Sequence, residues 1–177
     1  MSKSVLILPG IGNSSPQHWQ SYWERTNPDF VRVQQRDWNN PNCEEWAATL
    51  EAAVKRNGSG HAVIVAHSLG CLVVAHWAAK QHTPIKAALL VAVPDPLGTN
   101  FPGEASGFSL IPMRKFAFRS IVVASTNDPY GTFEYTSQLA KAWGSELVNI
   151  GNCGHVNANS GLGVWDEGYQ LLAKLRD

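Results

Sequence analysis

The fold is decided by residues 61 to 82, which read His61-Ala-Val-Ile-Val-Ala-His-Ser68-Leu-Gly70-Cys-Leu-Val-Val-Ala-His-Trp-Ala-Ala-Lys-Gln-His82. Residues 62–66 are all apolar and make a run long enough for a strand that is buried on both faces. The run stops at His67 and Ser68, and beyond Gly70 apolar residues recur at the spacing of one helix face. The pattern therefore predicts a buried strand, a tight turn that carries a serine, and a helix.

Ser68 occupies the position of a nucleophile at this turn. In α/β-hydrolases the motif Gly-x-Ser-x-Gly holds the serine in a strained conformation between a strand and a helix. Here the second glycine is Gly70, and Ala66 stands in place of the first, adding one methyl group that we expect the turn to accept. A serine at an ordinary strand-to-helix turn is the alternative interpretation until partners for Ser68 are found.

Length and composition favour one α/β domain. The 177 residues suffice for a single sheet with helices on both faces, and 14 basic residues balance 14 acidic ones. This balance argues against nucleic acid or an anionic membrane as a main partner. No apolar run approaches the roughly 20 residues of a membrane-spanning helix, and the N-terminus carries no signal-peptide pattern. Because Cys43, Cys71 and Cys153 form no paired motif, we expect reduced thiols in a cytoplasmic protein.

Strand and helix patterns alternate along the chain. Strands are predicted at 5–8, 31–35, 62–66, 87–93, 121–124 and 146–150, and helices at 16–25, 43–56, after Gly70, 133–143 and 164–175. Such alternation predicts a six-stranded parallel sheet within one domain that spans residues 1–177. Residues 94–118 fit neither period and are predicted to form a long functional loop.

Three polar residues each follow a different predicted strand. Ser68 follows the third strand, Asp128 the fifth and His155 the sixth. Because open parallel sheets bind ligands at the carboxyl ends of their strands, we expect these side chains to meet there. The order serine, acid, histidine is that of the α/β-hydrolase triad, in which the histidine takes the serine proton and the acid orients the imidazole. Gly151 and Gly154 are expected to let the His155 loop bend toward the serine.

Two of these assignments have competitors. Asp95, which lies between two prolines after the predicted fourth strand, is the alternative triad acid, although it also suits a turn. An oxyanion hole needs two hydrogen-bond donors. The backbone N–H of Leu69 is predicted to be one donor and that of Ile11 the other, with Gly12 as the alternative to Ile11.

Five mostly aromatic side chains are candidates for the substrate pocket. His18, Trp19 and Trp38 follow the first two predicted strands and are predicted to rim the site. Phe101 and Phe108 belong to the long loop and are predicted to line the pocket. The alternative for the tryptophans is that they fill the core, and for the loop residues that they pack the loop onto the sheet.

Five motifs together resemble a known family: Leu8-Pro-Gly-Ile-Gly12, Arg36-Asp-Trp38, Ala66-His-Ser-Leu-Gly70, Ser125-Thr-Asn-Asp-Pro129 and Asn152-Cys-Gly-His155. The chain is similar over almost its whole length to the small serine hydrolases grouped with retinoblastoma-binding protein nine and the bacterial YdeN protein. The resemblance implies a compact α/β-hydrolase fold with strand order 2-1-3-4-5-6 and no large cap domain. It also implies that Ser68, Asp128 and His155 are the triad. Binding to a retinoblastoma-type protein is not carried over, because the chain has no Leu-x-Cys-x-Glu segment.

The sequence therefore predicts a serine hydrolase that cleaves a small ester, thioester or amide through an acyl-enzyme. Its expected partner is a small acyl substrate, and no cofactor or metal is predicted, because no ligand cluster or phosphate-binding loop occurs. A peptidase uses the same triad, so the sequence does not distinguish cleavage of an ester from cleavage of an amide. A non-catalytic binding module on a hydrolase fold is the alternative from another functional class.

Overall fold

The computed structural model describes residues 4–80 and 83–177, so the first three residues and the last two of the stretch 61–82 lie outside the described part. The strands are β1 (Val5–Leu8), β2 (Phe30–Arg32), β3 (Val63–His67), β4 (Ala87–Val91), β5 (Arg119–Ala124) and β6 (Glu146–Asn149). They form one sheet of order β2-β1-β3-β4-β5-β6 in which every pair is parallel. The predicted fold class and strand order are confirmed.

The helices are α1 (Trp19–Thr26), α2 (Cys43–Asn57), α3 (Leu69–Lys80), α4 (Phe133–Trp143) and α5 (Asp166–Arg176). Helix α1 begins three residues later than predicted, because His18 is its N-cap and accepts the Gln20 N–H. The second strand ends at Arg32, earlier than predicted, although the Val33 N–H still bonds the Ile7 carbonyl. These differences leave the topology unchanged.

Alternate residues of the four inner strands face two separate cores. Leu6 and Leu8 of β1 pack into a core that includes residues of α2, α3 and α4. Val5 and Ile7 pack into a second core with residues of α1 and α5. All four side chains are fully buried, and each such burial contributes about 1.5–3 kcal/mol relative to exposure. Helices therefore cover both faces of the sheet, as the sequence predicts.

The turn between β3 and α3 holds Ser68 in the left-handed region, with φ of 53°. A Cβ atom on Gly70 would lie 2.5 Å from the Leu8 carbonyl oxygen, which is too close for any side chain. A Cβ atom on Gly10 would lie 3.0 Å from Ser68 Cβ. Gly70 must therefore be glycine, because the end of β1 packs directly against the turn. Ala66, in place of the motif's first glycine, is accommodated in the core.

The long loop at residues 94–118 contains no helix and no strand, in agreement with the sequence. It is tied to the start of α2, because the Ser106 N–H donates to the Pro41 carbonyl and the Cys43 N–H donates to the Ser106 carbonyl. The Asn100 side-chain amide donates to the Pro129 carbonyl at 2.8 Å. The loop is therefore fixed next to the loop that follows β5. None of the described helices has the length and hydropathy needed to cross a membrane.

Candidate active site

Ser68, His155 and Asp128 meet at the carboxyl end of the sheet and form one hydrogen-bonded chain. The Nε2 atom of His155 lies 2.7 Å from Ser68 Oγ. On the other side of the ring, Nδ1 lies 2.9 Å from each carboxylate oxygen of Asp128. The structure thus brings together the three residues that the sequence predicts as a triad.

The partners of the His155 imidazole indicate where its proton lies. An ionised carboxylate only accepts hydrogen bonds, so in the neutral form of the ring Nδ1–H donates to Asp128 and Nε2 carries the lone pair. The Ser68 hydroxyl then donates to Nε2. The side chains of His155 and Asp128 are only 10% and 3% exposed, which keeps bulk water away from this pair. This arrangement suits a histidine that accepts a serine proton while a buried acid orients the ring.

Asp95, the alternative acid, does not take part in the hydrogen bonds that join Ser68, His155 and Asp128. Its Oδ1 accepts the Leu97 N–H at 2.9 Å, and its carbonyl accepts the Gly98 N–H at 3.0 Å. These bonds close a turn, which is the structural role that its neighbouring prolines suggest. The geometry therefore favours Asp128 over Asp95 as the partner of His155.

Polar side chains join the loop after β5 to the loop after β6. The Asn127 Oδ1 accepts the Gly154 N–H at 2.7 Å and the Ser125 hydroxyl at 3.0 Å. The Ser125 Oγ in turn accepts the Cys153 N–H at 2.9 Å. We call these four residues the inter-loop network. Because it links the residues just before Asp128 to those just before His155, it holds the two loops in place relative to each other.

Two backbone N–H groups beside Ser68 are available to an oxyanion. Leu69 is the first residue of α3, so its N–H has no acceptor within the helix. The N–H of Ile11, a residue that lines the cavity at Ser68, has no hydrogen-bond partner within the described residues. Gly12, the alternative to Ile11, already donates its N–H to the Trp38 carbonyl at 2.8 Å. The structure thus favours Leu69 and Ile11 as the two donors.

A cavity of about 360 Å³ opens onto Ser68 and His155. His18 and Phe101 line it, as the sequence predicts. None of the described residues that line this cavity is an Asp, Glu, Lys or Arg. Its polar walls come instead from uncharged side chains, among them Asn13, Asn100, Asn157 and Asn159.

Three of the predicted pocket residues do not line this cavity. Trp19 is 1% exposed and packs in the core under α1, where its Nε1–H donates to the Val156 carbonyl at 2.8 Å. Trp38 packs edge-on against Trp46 with ring centroids 5.5 Å apart. Phe108 is 1% exposed within the other core, which is the packing role left open for the loop. These three predictions were wrong, because the large rings pack in or against the two cores and not along the cavity.

Two residues near the triad were not predicted from the sequence. The Tyr130 ring lies 4.4 Å from the His155 ring and forms part of the cavity wall. His67, the last residue of β3, donates from Nε2 to the His155 carbonyl at 2.8 Å. It thus ties the loop of His155 to the β3–α3 turn that carries Ser68, which we call the elbow. The only signals in the sequence were their places next to Asp128 and Ser68, which do not reveal where either ring points.

His18 and His67 are two uncharged histidines that pack beside His155: the His18 ring contacts the His67 ring, which contacts the His155 ring. Burial foremost, followed by the nearby charges of Arg32 and His155, lowers the pKa of His18 to about 3. Burial, reinforced by His18 and His155, holds the pKa of His67 well below its usual value. Both rings are therefore neutral at neutral pH. Among residues 4–80 and 83–177, no group of three or more His, Cys, Asp or Glu side chains is placed to hold a metal ion.

Comparison with known proteins agrees with this geometry. The profile of a family described as serine hydrolases matches residues 5–174. A YdeN-like hydrolase from Pectobacterium atrosepticum has a similar structure, with a TM-score of 0.86 and 29% sequence identity, covering 98% of this chain and 90% of that one. No curated protein matches the chain in sequence.

More distant structures share the fold. The ydeN gene product of B. subtilis has a TM-score of 0.77 at 20% identity, covering 98% of each chain. Est1E from Butyrivibrio proteoclasticus, solved with ferulic acid bound, has a TM-score of 0.74 at 15% identity, covering 98% of this chain and 89% of that one. At these identities the likeness establishes the fold alone.

Proposed function

The chain belongs to the serine hydrolase family, and from this premise we propose that it cleaves a small ester, thioester or amide through an acyl-enzyme on Ser68. The observation that carries the proposal is the hydrogen-bonded chain in which His155 lies 2.7 Å from Ser68 Oγ and 2.9 Å from the Asp128 carboxylate. A serine hydroxyl is a poor nucleophile at neutral pH and needs a base at this distance.

Each residue of the site takes one part of the reaction. His155 accepts the Ser68 proton as Oγ attacks the substrate carbonyl carbon, and Asp128 stabilises the imidazolium that results. The N–H groups of Ile11 and Leu69 donate to the oxyanion, an interaction worth about 10²–10³ in kcat for one donor in a serine protease of another fold. His155 then passes the proton to the leaving oxygen, sulfur or nitrogen. A water molecule, activated by His155 in the same way, releases the acid and restores Ser68.

The size of the cavity supports a small acyl group. Its volume of about 360 Å³ lies at the lower end of the range for ligand pockets. Phe101 and Tyr130 supply apolar wall, and the mouth of the site has no cap domain above it in the described chain. Long lipid chains would therefore extend into solvent, whereas a short acyl chain would be enclosed.

Activity-based labelling tests the proposal. A fluorophosphonate probe should modify native protein at Ser68, and Ser68→Ala should abolish labelling while the circular dichroism spectrum stays native. Ser15→Ala is the matched control, because Ser15 is an exposed serine at the same cavity and labelling should persist without it. Labelling that survives in Ser68→Ala would contradict the nucleophile assignment. A folded wild type that takes up no probe would favour a binding role over catalysis.

We also propose a cytoplasmic location. Cys43 and Cys71 are buried and Cys153 is half-buried, and all three are free thiols, as is typical of proteins in a reducing compartment. Fractionation of cells that express the tagged chain would test this location, and recovery in an oxidising compartment would contradict it.

A further inference from the structure

Asn13 has a side-chain amide whose orientation is fixed by the protein. The residue lies in the loop after β1 with φ of 65°, a left-handed conformation that Asn adopts more readily than most residues. Its Oδ1 accepts the Ser14 N–H at 2.8 Å and a guanidinium N–H of Arg32 at 2.7 Å. The Arg32 side chain is only 8% exposed and is paired with Glu24, so it holds this oxygen in place. With the oxygen occupied, the amide N–H groups are what Asn13 can offer to a ligand.

Asn157 repeats this arrangement in the loop after β6. Its Oδ1 accepts the Asn159 N–H at 3.0 Å, as the N-cap of the short 3₁₀ turn that follows. Asn13 and Asn157 are both half-buried, and both line the cavity at Ser68. Neither Nδ2 atom has a hydrogen-bond partner among the described residues, and both retain accessible surface. Two oriented amide donors are therefore accessible at the cavity.

The two donors lie on one side of the nucleophile, and the apolar wall lies on the other. In the sheet β3 runs between β1 and β4, so the loop of Asn13 and the loop of Phe101 flank Ser68 from opposite sides. The loop of Asn157 belongs to the β1 side, because the Trp19 Nε1–H, at the start of α1, donates to the carbonyl just before Asn157. The cavity thus has a polar side and an apolar side.

This division assigns the two parts of an ester. The acyl chain and the leaving group extend from opposite sides of the carbonyl carbon that the nucleophile attacks. The apolar side, with Phe101 and two prolines, suits the short acyl chain, and Asn100 on that side already donates its amide to the Pro129 carbonyl. The leaving group then lies beside Asn13 and Asn157. None of the described residues that line the cavity is Asp, Glu, Lys or Arg, so a charged leaving group would lose hydration without gaining an ionic partner.

From this arrangement we infer that Asn13 and Asn157 select the leaving group, by donating their Nδ2–H groups to uncharged oxygen atoms of the alcohol that is released. The inference rests on the proposed function and names its substrate class: short acyl esters of alcohols that carry further ether or hydroxyl oxygens. An ester of a hydrocarbon alcohol would displace water from both amides and leave their N–H groups unpaired.

Pairs of butyrate esters test the inference. In each pair an ether oxygen replaces one methylene of the alcohol, as in 2-methoxyethyl against butyl butyrate, and 3-methoxypropyl or 2-ethoxyethyl against pentyl butyrate. The selectivity ratio is kcat/KM for the oxygen-containing ester divided by kcat/KM for its hydrocarbon partner, each measured by titration of the released acid and corrected for hydroxide hydrolysis. Because the alcohol is present until the acyl-enzyme forms, kcat/KM reports its recognition. We expect a wild-type ratio of about tenfold for at least one oxygen position, the size of one hydrogen bond.

Asn-to-Asp variants separate recognition from folding. Asn13→Asp keeps the oxygen that accepts from Arg32 and tolerates the left-handed φ, and Asn157→Asp keeps the N-cap oxygen. Each variant replaces only the N–H donor, so the ratio should fall to about one for every ester pair in the double variant. Asn159→Asp is the matched control, because it adds the same charge at the same cavity to a side chain that has no hydrogen bond within the described chain. It should leave the ratio within about twofold of wild type.

Three results would overturn the inference. One is a wild-type ratio near one for every oxygen position, and another is an unchanged ratio in the double variant. The third is a preference for butyl methoxyacetate over butyl butyrate that the double variant abolishes, because the donors would then contact the acyl chain. Hydrolysis of p-nitrophenyl butyrate separates the two levels of the account. If the wild type hydrolyses it while every ratio stays near one, the inference alone fails; if it hydrolyses no ester, the proposed function fails and the inference with it.

Discussion

The two halves of the site are built in different ways. The elbow that carries Ser68 is held by backbone packing: the Ser68 N–H donates to the Val91 carbonyl at 2.9 Å, and Gly70 sits against the Leu8 carbonyl. The loops that carry Asp128 and His155 are held by the inter-loop network, in which the buried Ser125 and the exposed Asn127 side chains accept backbone N–H groups of the His155 loop. Ser68 is therefore part of the core, whereas the loops of Asp128 and His155 are attached to it.

This difference indicates how each half should respond to substitution. In the elbow, an added atom meets backbone that cannot move, so the effect falls on the free energy of unfolding. In the loops, a lost side chain leaves the core intact but displaces the imidazole, and a shift of about 1 Å is enough to reduce catalysis about 10²-fold. Substitutions in the elbow should therefore mainly lower stability, and substitutions in the loops should mainly lower activity.

The largest effect is expected at Asp128. Asp128→Asn should lower kcat by about 10⁴, because the amide favours the wrong imidazole tautomer and cannot stabilise the imidazolium. Asp95→Asn, which alters only the turn at Leu97, should stay within about tenfold of wild type. Steady-state hydrolysis of a p-nitrophenyl ester measures both variants. If the two effects were reversed, Asp95 would be the triad acid.

The next largest effect is expected at Gly70. Gly70→Ala places a Cβ 2.5 Å from the Leu8 carbonyl oxygen and should lower the free energy of unfolding by about 2–3 kcal/mol. Gly103→Ala adds the same atom where no other atom lies within 4 Å, and should stay within about 0.5 kcal/mol of wild type. Urea unfolding gives both values. Equal stability of the two variants would show that the elbow is not limited by packing.

A smaller effect, on activity more than on stability, is expected in the inter-loop network. Asn127→Ala removes the acceptor of the Gly154 N–H and should lower kcat by about 10- to 100-fold, while the free energy of unfolding changes by about 1 kcal/mol. The exposed Asn39, whose side chain has no hydrogen bond within the described chain, provides the control substitution Asn39→Ala. Loss of stability in Asn127→Ala that exceeds the loss in Gly70→Ala would remove the distinction between the two halves.

The last effect appears only in acid, as a slope of the free energy of unfolding with pH. His18 stays neutral in the folded protein, with a pKa of about 3, but gains a proton in the unfolded chain below about pH 6.5. Above that pH both states are neutral and the group contributes nothing. As the pH falls from 6.5 toward 3, stability should therefore decrease, by up to about 1.4 kcal/mol per pH unit from this residue. His18→Asn should show a shallower slope in urea unfolding between pH 7 and pH 4. An identical slope would mean that the ring is charged in the folded state.

Residue order and strand ends were enough to predict the triad. Ser68 directly follows β3, and Asp128 and His155 lie in the short loops after β5 and β6; the alternation of parallel strands with helices places all those strand ends at one edge. Short backbone connections leave little freedom for such residues, so their positions follow from topology.

The pocket could not be predicted in the same way, because it depends on where each ring points. His18 and Trp19 are neighbours in the chain, yet one faces the cavity as the N-cap and the other enters the core as the first residue of α1. Tyr130 returns over His155 because the chain turns after Asp128, whose Oδ1 accepts the Tyr130 N–H at 2.9 Å. Such turns and side-chain directions are set by tertiary packing, which periodicity does not encode.

Trapping the acyl-enzyme tests the central claim most directly. The protein is mixed with p-nitrophenyl butyrate, quenched in acid within one turnover and digested for peptide mass spectrometry. We predict one butyryl group on the peptide that contains Ser68, and none in His155→Ala, where no base can take the serine proton. A butyryl group on Cys153 instead, or rapid turnover of the wild type with no acylated peptide at any quench time, would contradict an acyl-enzyme on Ser68.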